Sequence, residues 1–372
     1  MITLAEKKFC CGCSACAQKC PRHCIIMKAD TEGFYYPYID TKECIHCGLC
    51  EKVCPVIHPS LERAPHFCYA AFHKDENIRM ASSSGGIFTM IAQQVILLGG
   101  IVFGARFDNR WQVVMGYTED LQGLALFRGS KYVQCETGDS FRQAEHFLKQ
   151  DRLVLYTGTP CQIAALKKYL PKSYDNLLTV DFVCHGVPSP KVWEYYLKSF
   201  KNITDISFRS KSEGWKNFHI CIKDKDKILS EPFYDNVYMQ AFLGDMILRP
   251  SCYSCPTRRG KSGSDITIGD HWAIPTTNPE FDDDKGTSLI LINTEKGKSF
   301  WDNKQVTFIE TALESSKQYN GGFLDTIKAH PHRERFFKKL NKTSDVSQLI
   351  VKELRVPFYE RVILKFKTLL KQ

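Results

Sequence analysis

From Tyr69 onward the chain alternates between two hydrophobic rhythms. Tyr69-Ala-Ala-Phe72, Ile101-Val-Phe-Gly-Ala105, Val113-Val-Met-Gly-Tyr117, Leu153-Val-Leu-Tyr-Thr157 and Leu177 to Val183 are short apolar runs rich in β-branched and aromatic residues, and each reads as a strand. Between them, Ile87 to Leu98, Phe141 to Lys149 and Ile163 to Tyr169 carry apolar residues at the spacing of one helix face. Ser82-Ser-Ser-Gly85-Gly86 is a cap-rich turn ahead of the first of these helices, and Gly99-Gly100 ends it. Strand, loop, helix and strand in succession predict βαβ units and a largely parallel sheet. Ligands in such sheets bind at the loops beyond the strand carboxyl ends. After Ile206 the runs shorten: Ile206-Ser-Phe-Arg209, Phe218-His-Ile-Cys-Ile222 and Asp265-Ile-Thr-Ile-Gly269 predict antiparallel strands. The final stretch is mainly helical in its spacing. The expected class is therefore α+β / α/β.

The first part of the chain has neither rhythm. Cys10-x2-Cys13-x2-Cys16-x3-Cys20-Pro21 recurs as Cys44-x2-Cys47-x2-Cys50-x3-Cys54-Pro55, an internal repeat. This is the two-cluster bacterial ferredoxin pattern, in which each run gives three thiolates to one 4Fe–4S cluster and its fourth to the other. Cys10, Cys13, Cys16 and Cys54 are expected on one cluster, and Cys44, Cys47, Cys50 and Cys20 on the second. Zinc sites use pairs of cysteines across a longer spacer, and disulfide frameworks belong to short secreted chains, so neither fits as well. Cys11 and Cys24 lie outside the pattern and read as packing or supporting residues.

Length divides the chain further. At 372 residues it exceeds a single core, so several parts are expected: a ferredoxin-type domain over 1–57, the two parts of a mixed α/β core over 66–180 and 181–310, and a helical tail over 311–372. Pro55, Pro59 and Pro65 mark the linker. The net charge of +9 is scattered, and no nucleic-acid-binding module accompanies it, which favours an acidic redox partner or an anionic cofactor over nucleic acid. The longest apolar stretch, Ile87 to Phe103, is broken by Gln93, Gln94, Gly99 and Gly100, so no membrane span is expected. Met1 to Glu6 does not resemble a secretory leader, and seventeen cysteines without one suit a reducing cytoplasm. Phe358 to Leu370 combines helical apolar spacing with Arg361, Lys365 and Lys367; packing on its own domain is the ordinary reading, and peripheral membrane contact the alternative.

Four further cysteines form a second constellation. Cys161 follows one predicted strand, Cys184 the next, and Cys252-x2-Cys255 lies in a loop. If the loops converge, four thiolates serve one metal centre; spacing alone leaves zinc and 4Fe–4S open. The ferredoxin pattern upstream favours a cluster, because redox centres must lie close together for electrons to pass.

Over roughly Tyr69 to Thr294 the chain resembles the family of coenzyme F420 hydrogenase/dehydrogenase beta subunits. The ordered motifs are Ser84-Gly85-Gly86, Gly129-Ser-Lys131-Tyr132, Thr159-Pro-Cys161-Gln162, Cys184-His-Gly186, Cys252-x2-Cys255 and Ser264-Asp265-Ile-Thr-Ile-Gly269-Asp270. The resemblance implies a 4Fe–4S cluster on Cys161, Cys184, Cys252 and Cys255, and beside it a flavin, usually FAD with FMN as the alternative. Members exchange a hydride between that flavin and a substrate or a deazaflavin. Ser84, Gly85, Gly86, Lys131, Tyr132, Asp265 and Asp270 then become candidate cofactor contacts. From the residues alone, Ser82 to Gly86 is equally an ordinary helix cap, Lys131 a surface lysine, Tyr132 a core tyrosine and Asp265 a turn cap. Lys131 and His185 are candidate catalytic groups, although His185, next to Cys184, fits better as a hydrogen-bonding neighbour of the cluster. Asp282-Asp-Asp284 reads as a solvated loop rather than a metal site, with Lys285-Gly-Thr-Ser288 near cofactor or substrate.

The expectation is a flavin-dependent iron–sulfur oxidoreductase taking electrons from a ferredoxin or another redox protein to a small-molecule acceptor. A non-catalytic electron-relay subunit of a larger redox complex is the alternative, and a zinc-stabilised interaction protein the third reading.

Overall fold

The computed structural model describes residues 6–225, 227–317, 320–324 and 327–355. The basic segment Phe358 to Leu370 lies outside them. Two short helices, α1 (Ala15–Lys19) and α2 (Leu49–Lys52), follow the two cysteine loops, and between them β1 (Ile25–Ala29) pairs antiparallel with β2 (Tyr35–Ile39). The repeat is visible in the backbone. Gly12 and His46 occupy equivalent places and both turn left-handed, as do Ser14 and Gly48.

The main body is an eight-stranded sheet. Its strands are β3 (Phe67–His73), β4 (Ile101–Phe107), β5 (Val113–Thr118), β6 (Val154–Gly158), β7 (Leu177–Phe182), β11 (Ile266–Asp270), β12 (Ser288–Ile292) and β13 (Val306–Glu310), in the order β13-β3-β12-β11-β7-β6-β4-β5. The four central strands β11, β7, β6 and β4 run parallel, and both flanks are antiparallel. β8 (Ile203–Ser210), β9 (His219–Asp224) and β10 (Lys227–Pro232) form a separate antiparallel sheet.

Two strand expectations change. The run at Asp265–Gly269 becomes β11, parallel to β7 with Ile266 opposite Val180, and antiparallel only to β12. A parallel neighbour requires a long crossover, and the entire segment between β7 and β11, including the second sheet, supplies it. Ser288, expected in a loop near ligand, instead begins β12. The five residues of that strand are all buried, so it lacks the alternation that marks a half-buried strand.

Helices cover both faces of the sheet: α3 (Glu76–Met80) and α4 (Ile87–Leu97) precede β4, while α5 (Ser140–Lys149) and α6 (Pro160–Tyr169) flank β6. Period-two alternation divides the strands between them. Val102 and Leu155 pack with α4, whereas Ile101, Phe103, Val154 and Tyr156 pack with α5 and α6. Two further helices, α7 (Pro190–Leu197) and α8 (Val237–Leu243), build a third core with β8 and β9. Among the described residues no helix is long and apolar enough to cross a membrane.

The cysteine-rich segment is seated on this body by shared core. Ala15 and Val53 join the cluster of Phe103 and Tyr156, and Phe34 joins that of Trp193 and Tyr238. Polar clamps add to it: Gln18 Oε1 accepts from the Phe141 and Arg142 amides, and Arg333 forks onto Glu32. Truncating the fully buried Phe34 to Ala is expected to lower stability by about 3–5 kcal/mol. The check is thermal unfolding combined with hydrogen exchange, in which the β1–β2 hairpin should lose protection first; unchanged exchange there would count against a shared core.

Candidate functional site

Each cysteine loop carries two left-handed residues, Gly12 and Ser14 in the first and His46 and Gly48 in the second, which turn the chain tightly between its cysteines. The first loop brings Cys10, Cys13, Cys16 and Cys54 into mutual electrostatic reach. Cys20, Cys44, Cys47 and Cys50 line a second cavity, with Cys24 Sγ 3.3 Å from Cys20 Sγ. Cys47 is exposed, as are the neighbouring Ile45 and, on the hairpin, Ile26 and Tyr38, so this second cavity lies nearer solvent.

The third group assembles at the carboxyl edge of the parallel strands. Thr159 caps α6 with a full capping box and Pro160 opens it, so Cys161 sits in the helix's first turn, two residues ahead of the start that the periodicity predicts. Cys184 follows β7. Cys252 and Cys255 come from the turn Pro250–Ser254 and its cap, which the bridge between Pro188 and Leu248 brings alongside. All four line one cavity together with Cys11 and Arg249.

Burial and crowding decide the state of these thiols. Burial first, then the neighbouring Cys10 and Cys54, pushes Cys16 up to about 12. Burial likewise takes Cys252 up to about 12 and Cys184 well above its ordinary value, the latter reinforced by Cys252, Cys161 and Cys255. Such thiols ionise only against a nearby positive charge, which is what a cluster's iron supplies. Polar groups already face the sulfurs: the Val187 amide donates to Cys252 Sγ at 3.4 Å, Thr159 Oγ1 lies 3.2 Å from Cys161 Sγ, and Thr257 Oγ1 3.4 Å from Cys255 Sγ. Cys11 is more than packing; its thiol interacts electrostatically with both Cys13 and Cys161 and lines the core cavity.

The candidate cofactor residues divide. Ser84, Gly85 and Gly86 lead into α4, which has no side-chain cap. Gly85 also has a structural duty, since a Cβ there would run into the Ala71 carbonyl. The 128–131 loop adjoins, with the Ser130 amide donating to Ser83 Oγ at 2.6 Å and Arg128 Nε to Thr89 Oγ1 at 3.3 Å. Lys131 is half-buried, and burial lowers it to about 8. Tyr132 packs on Phe208 and Phe242 and accepts from Arg209, which also pairs with Asp270 at 2.9 Å. Asp265 is engaged elsewhere: its carboxylate accepts from Thr179 of β7 and from Thr294, two residues beyond β12. His185 Nε2 meets Asp245 Oδ1 at 2.7 Å beside the cysteine cavity. The acidic run is fully engaged, Asp283 by a bidentate Arg79, Asp282 by Lys216 and Asp284 by the Lys216 amide.

Residues 9–57 match the 4Fe-4S dicluster domain, and residues 151–316 match the C terminus of the coenzyme F420 hydrogenase/dehydrogenase beta subunit. The chain thus carries, in one polypeptide, a stretch similar to a dicluster ferredoxin domain and a stretch similar to the C-terminal part of an oxidoreductase beta subunit. A subunit of the F(420)H(2) dehydrogenase of Methanosarcina mazei is 23% identical over 80% of this chain and 82% of its own length. A ferredoxin of Mycolicibacterium smegmatis is 48% identical over 42 residues, 11% of this chain and 35% of that one. A chain in the structure of the F420-reducing [NiFe] hydrogenase complex from Methanosarcina barkeri aligns with a TM-score of 0.47 and 17% identity, over 79% of this chain and 93% of that one.

Several residues that organise these sites carry no sequence signal. Arg249, Gln134, Asp245, Arg209 and Lys211 stand in no motif, and their partners are distant in the chain. Lys211 locks three loops, donating at 2.7 Å to the carbonyls of Arg79, Ser84 and Lys285. Burial, then Arg79 and Arg209, lowers it to about 7. The folded state therefore binds fewer protons than the unfolded one between about pH 7 and the usual lysine range, so this contribution rises with pH across that window. Wild type should gain on Lys211→Met as pH rises from 7 to 9.5, by at most about 1.4 kcal/mol per pH unit. Anaerobic denaturant midpoints read this, and a constant difference would refute it.

Proposed function

We propose that this chain is a flavin-dependent iron–sulfur oxidoreductase, passing electrons between a ferredoxin-like donor and an organic or deazaflavin acceptor. The observation that carries the reading is the convergence of Cys161, Cys184, Cys252 and Cys255 on one cavity, which Cys11 of the first cysteine loop also lines. In this reading Cys10, Cys13, Cys16 and Cys54 hold an inner 4Fe–4S cluster, Cys20, Cys44, Cys47 and Cys50 an outer one, and the four core cysteines a third. The donor set suits clusters: it is all thiol, with amides and hydroxyls aimed at sulfur.

Clusters supply one-electron transfer, and a bound flavin, FAD or FMN, supplies the conversion to two-electron hydride chemistry. The chain's own residues bind and position. The uncapped start of α4 offers free amides and the positive end of a helix dipole, with Arg128 and Lys131 nearby, which supports an anionic pyrophosphate there. Among the described residues, Arg209 Nε, beside Tyr132 and Asp270, and Nε1 of Trp215, which stacks on Trp272, are buried without a partner, which supports a polar ligand on that side. His185 and Asp245 can hold a proton at the cavity's edge. The exposed surface round Cys47 is where a redox protein would deliver electrons. The deazaflavin acceptor is supported by the name of the Methanosarcina mazei relative. That relative is a subunit, which favours a second reading of this chain as the relay of a larger complex. Turnover by the isolated chain separates the two.

Anaerobic isolation is expected to yield about twelve iron and twelve sulfide per chain with one flavin. Cys252→Ser should remove about four of each and stop flavin reduction by reduced ferredoxin, leaving the N-terminal clusters' electron paramagnetic resonance signals in place. Undiminished flavin reduction in that variant would overturn the pathway.

A further inference from the structure

We infer that Arg249 is a counter-ion shared by the inner ferredoxin cluster and the core cluster, raising the reduction potential of both relative to the outer cluster. This rests on the cluster assignment proposed above. Arg249 is wholly buried. Its guanidinium donates through Nε to the Cys10 carbonyl at 2.8 Å, through Nη2 to the Tyr35 carbonyl at 2.9 Å, and through Nη1 to Gln134 Oε1 at 3.0 Å. All three acceptors are neutral, and among the described residues no carboxylate pairs with it. A buried charge left without an opposite charge is strongly unfavourable, so a negative group must lie close by when the protein is assembled.

The sulfurs are the candidates. Arg249 stands one turn before Cys252, whose amide donates to the Arg249 carbonyl at 2.9 Å, and it lines the core cavity. Its other side lies against the first cysteine loop, where a Cβ on Gly12 would come within 2.8 Å of Nη1. Glycine at that position is therefore what admits the guanidinium to the loop, besides supplying the left-handed turn. Cys11 spans the same junction: it follows Cys10 in the first loop, it lines the core cavity, and its thiol interacts with both Cys13 and Cys161. The two sets of proposed ligands are thus separated by one side chain, with one cation between them. The outer cavity is not lined by Arg249.

A fixed positive charge favours the more negative, reduced form of a cluster. Electrons entering at the outer cluster would then move toward the core on a favourable gradient. Gln134 offers a mild test, because Gln134→Glu keeps the shape and sets a carboxylate against the guanidinium. Redox titration of the full-length reconstituted protein, followed by electron paramagnetic resonance, is the measurement. In Gln134→Glu and in Arg249→Gln, the inner and core clusters should become harder to reduce by about tenfold, or 59 mV, while the outer cluster stays in place. Arg249→Lys, which retains the charge, should restore most of the shift. Unmoved potentials in Gln134→Glu with all clusters assembled would overturn the inference and leave Arg249 as a docking residue. So would an equal shift of all three clusters, which signals general loosening. Wild-type protein lacking the core cluster's signal would instead defeat the cluster assignment itself, and the inference with it.

Discussion

Charge buried without a protein counter-charge is the constraint on which this molecule turns. The Arg249 guanidinium is sealed from water where the cysteine-rich segment meets the main body, and among the described residues its hydrogen bonds go to neutral carbonyl and amide oxygens. Around it stand thiols that burial and mutual repulsion keep protonated unless a positive centre arrives. Each is costly alone. Together they support the proposed reading of this junction as a place that would hold an inorganic cluster and the electrons it accepts.

The rest of the architecture serves that junction. Four parallel strands end at one edge, so the residues following β6 and β7 are delivered side by side, and the Pro188–Leu248 bridge adds the third cysteine-bearing segment. The dicluster domain is pinned over this edge by Phe34, Ala15 and Val53, which share the body's hydrophobic cores. Electron transfer weakens steeply with separation, so packing that removes freedom between the domains acts directly on function. Close backbone approach at Gly12 completes the fit.

Polar locks also set the loops leading into α4. Lys211 joins three of them, Arg79 holds Asp283 across the fold, and Trp215 stacks on Trp272 at 4.5 Å. These contacts leave the first turn of α4 uncapped and near Arg128 and Lys131. On the proposed reading of this helix start as an anion site, a rigid frame there would limit the ordering cost of binding.

The sequence by itself determined the elements whose signal is local. Two cysteine runs with fixed spacing identify the dicluster domain, because a cluster's geometry is written into a few consecutive residues. Strand and helix periodicity placed β3 to β7 and α4 to α6 within a few residues. Tertiary structure decided everything that depends on distant partners. β11 runs parallel because a long crossover returns it beside β7, and β12 is a strand because both its faces are covered. Asp265, read from its motif as a cofactor contact, is occupied in joining strands. Cys11, outside every spacing rule, became the thiol between two sites, and Arg249 gained its meaning from Cys10 and Gln134, neither near it in the chain. Electrostatic fields and burial are sums over space, and spacing along a chain does not contain them.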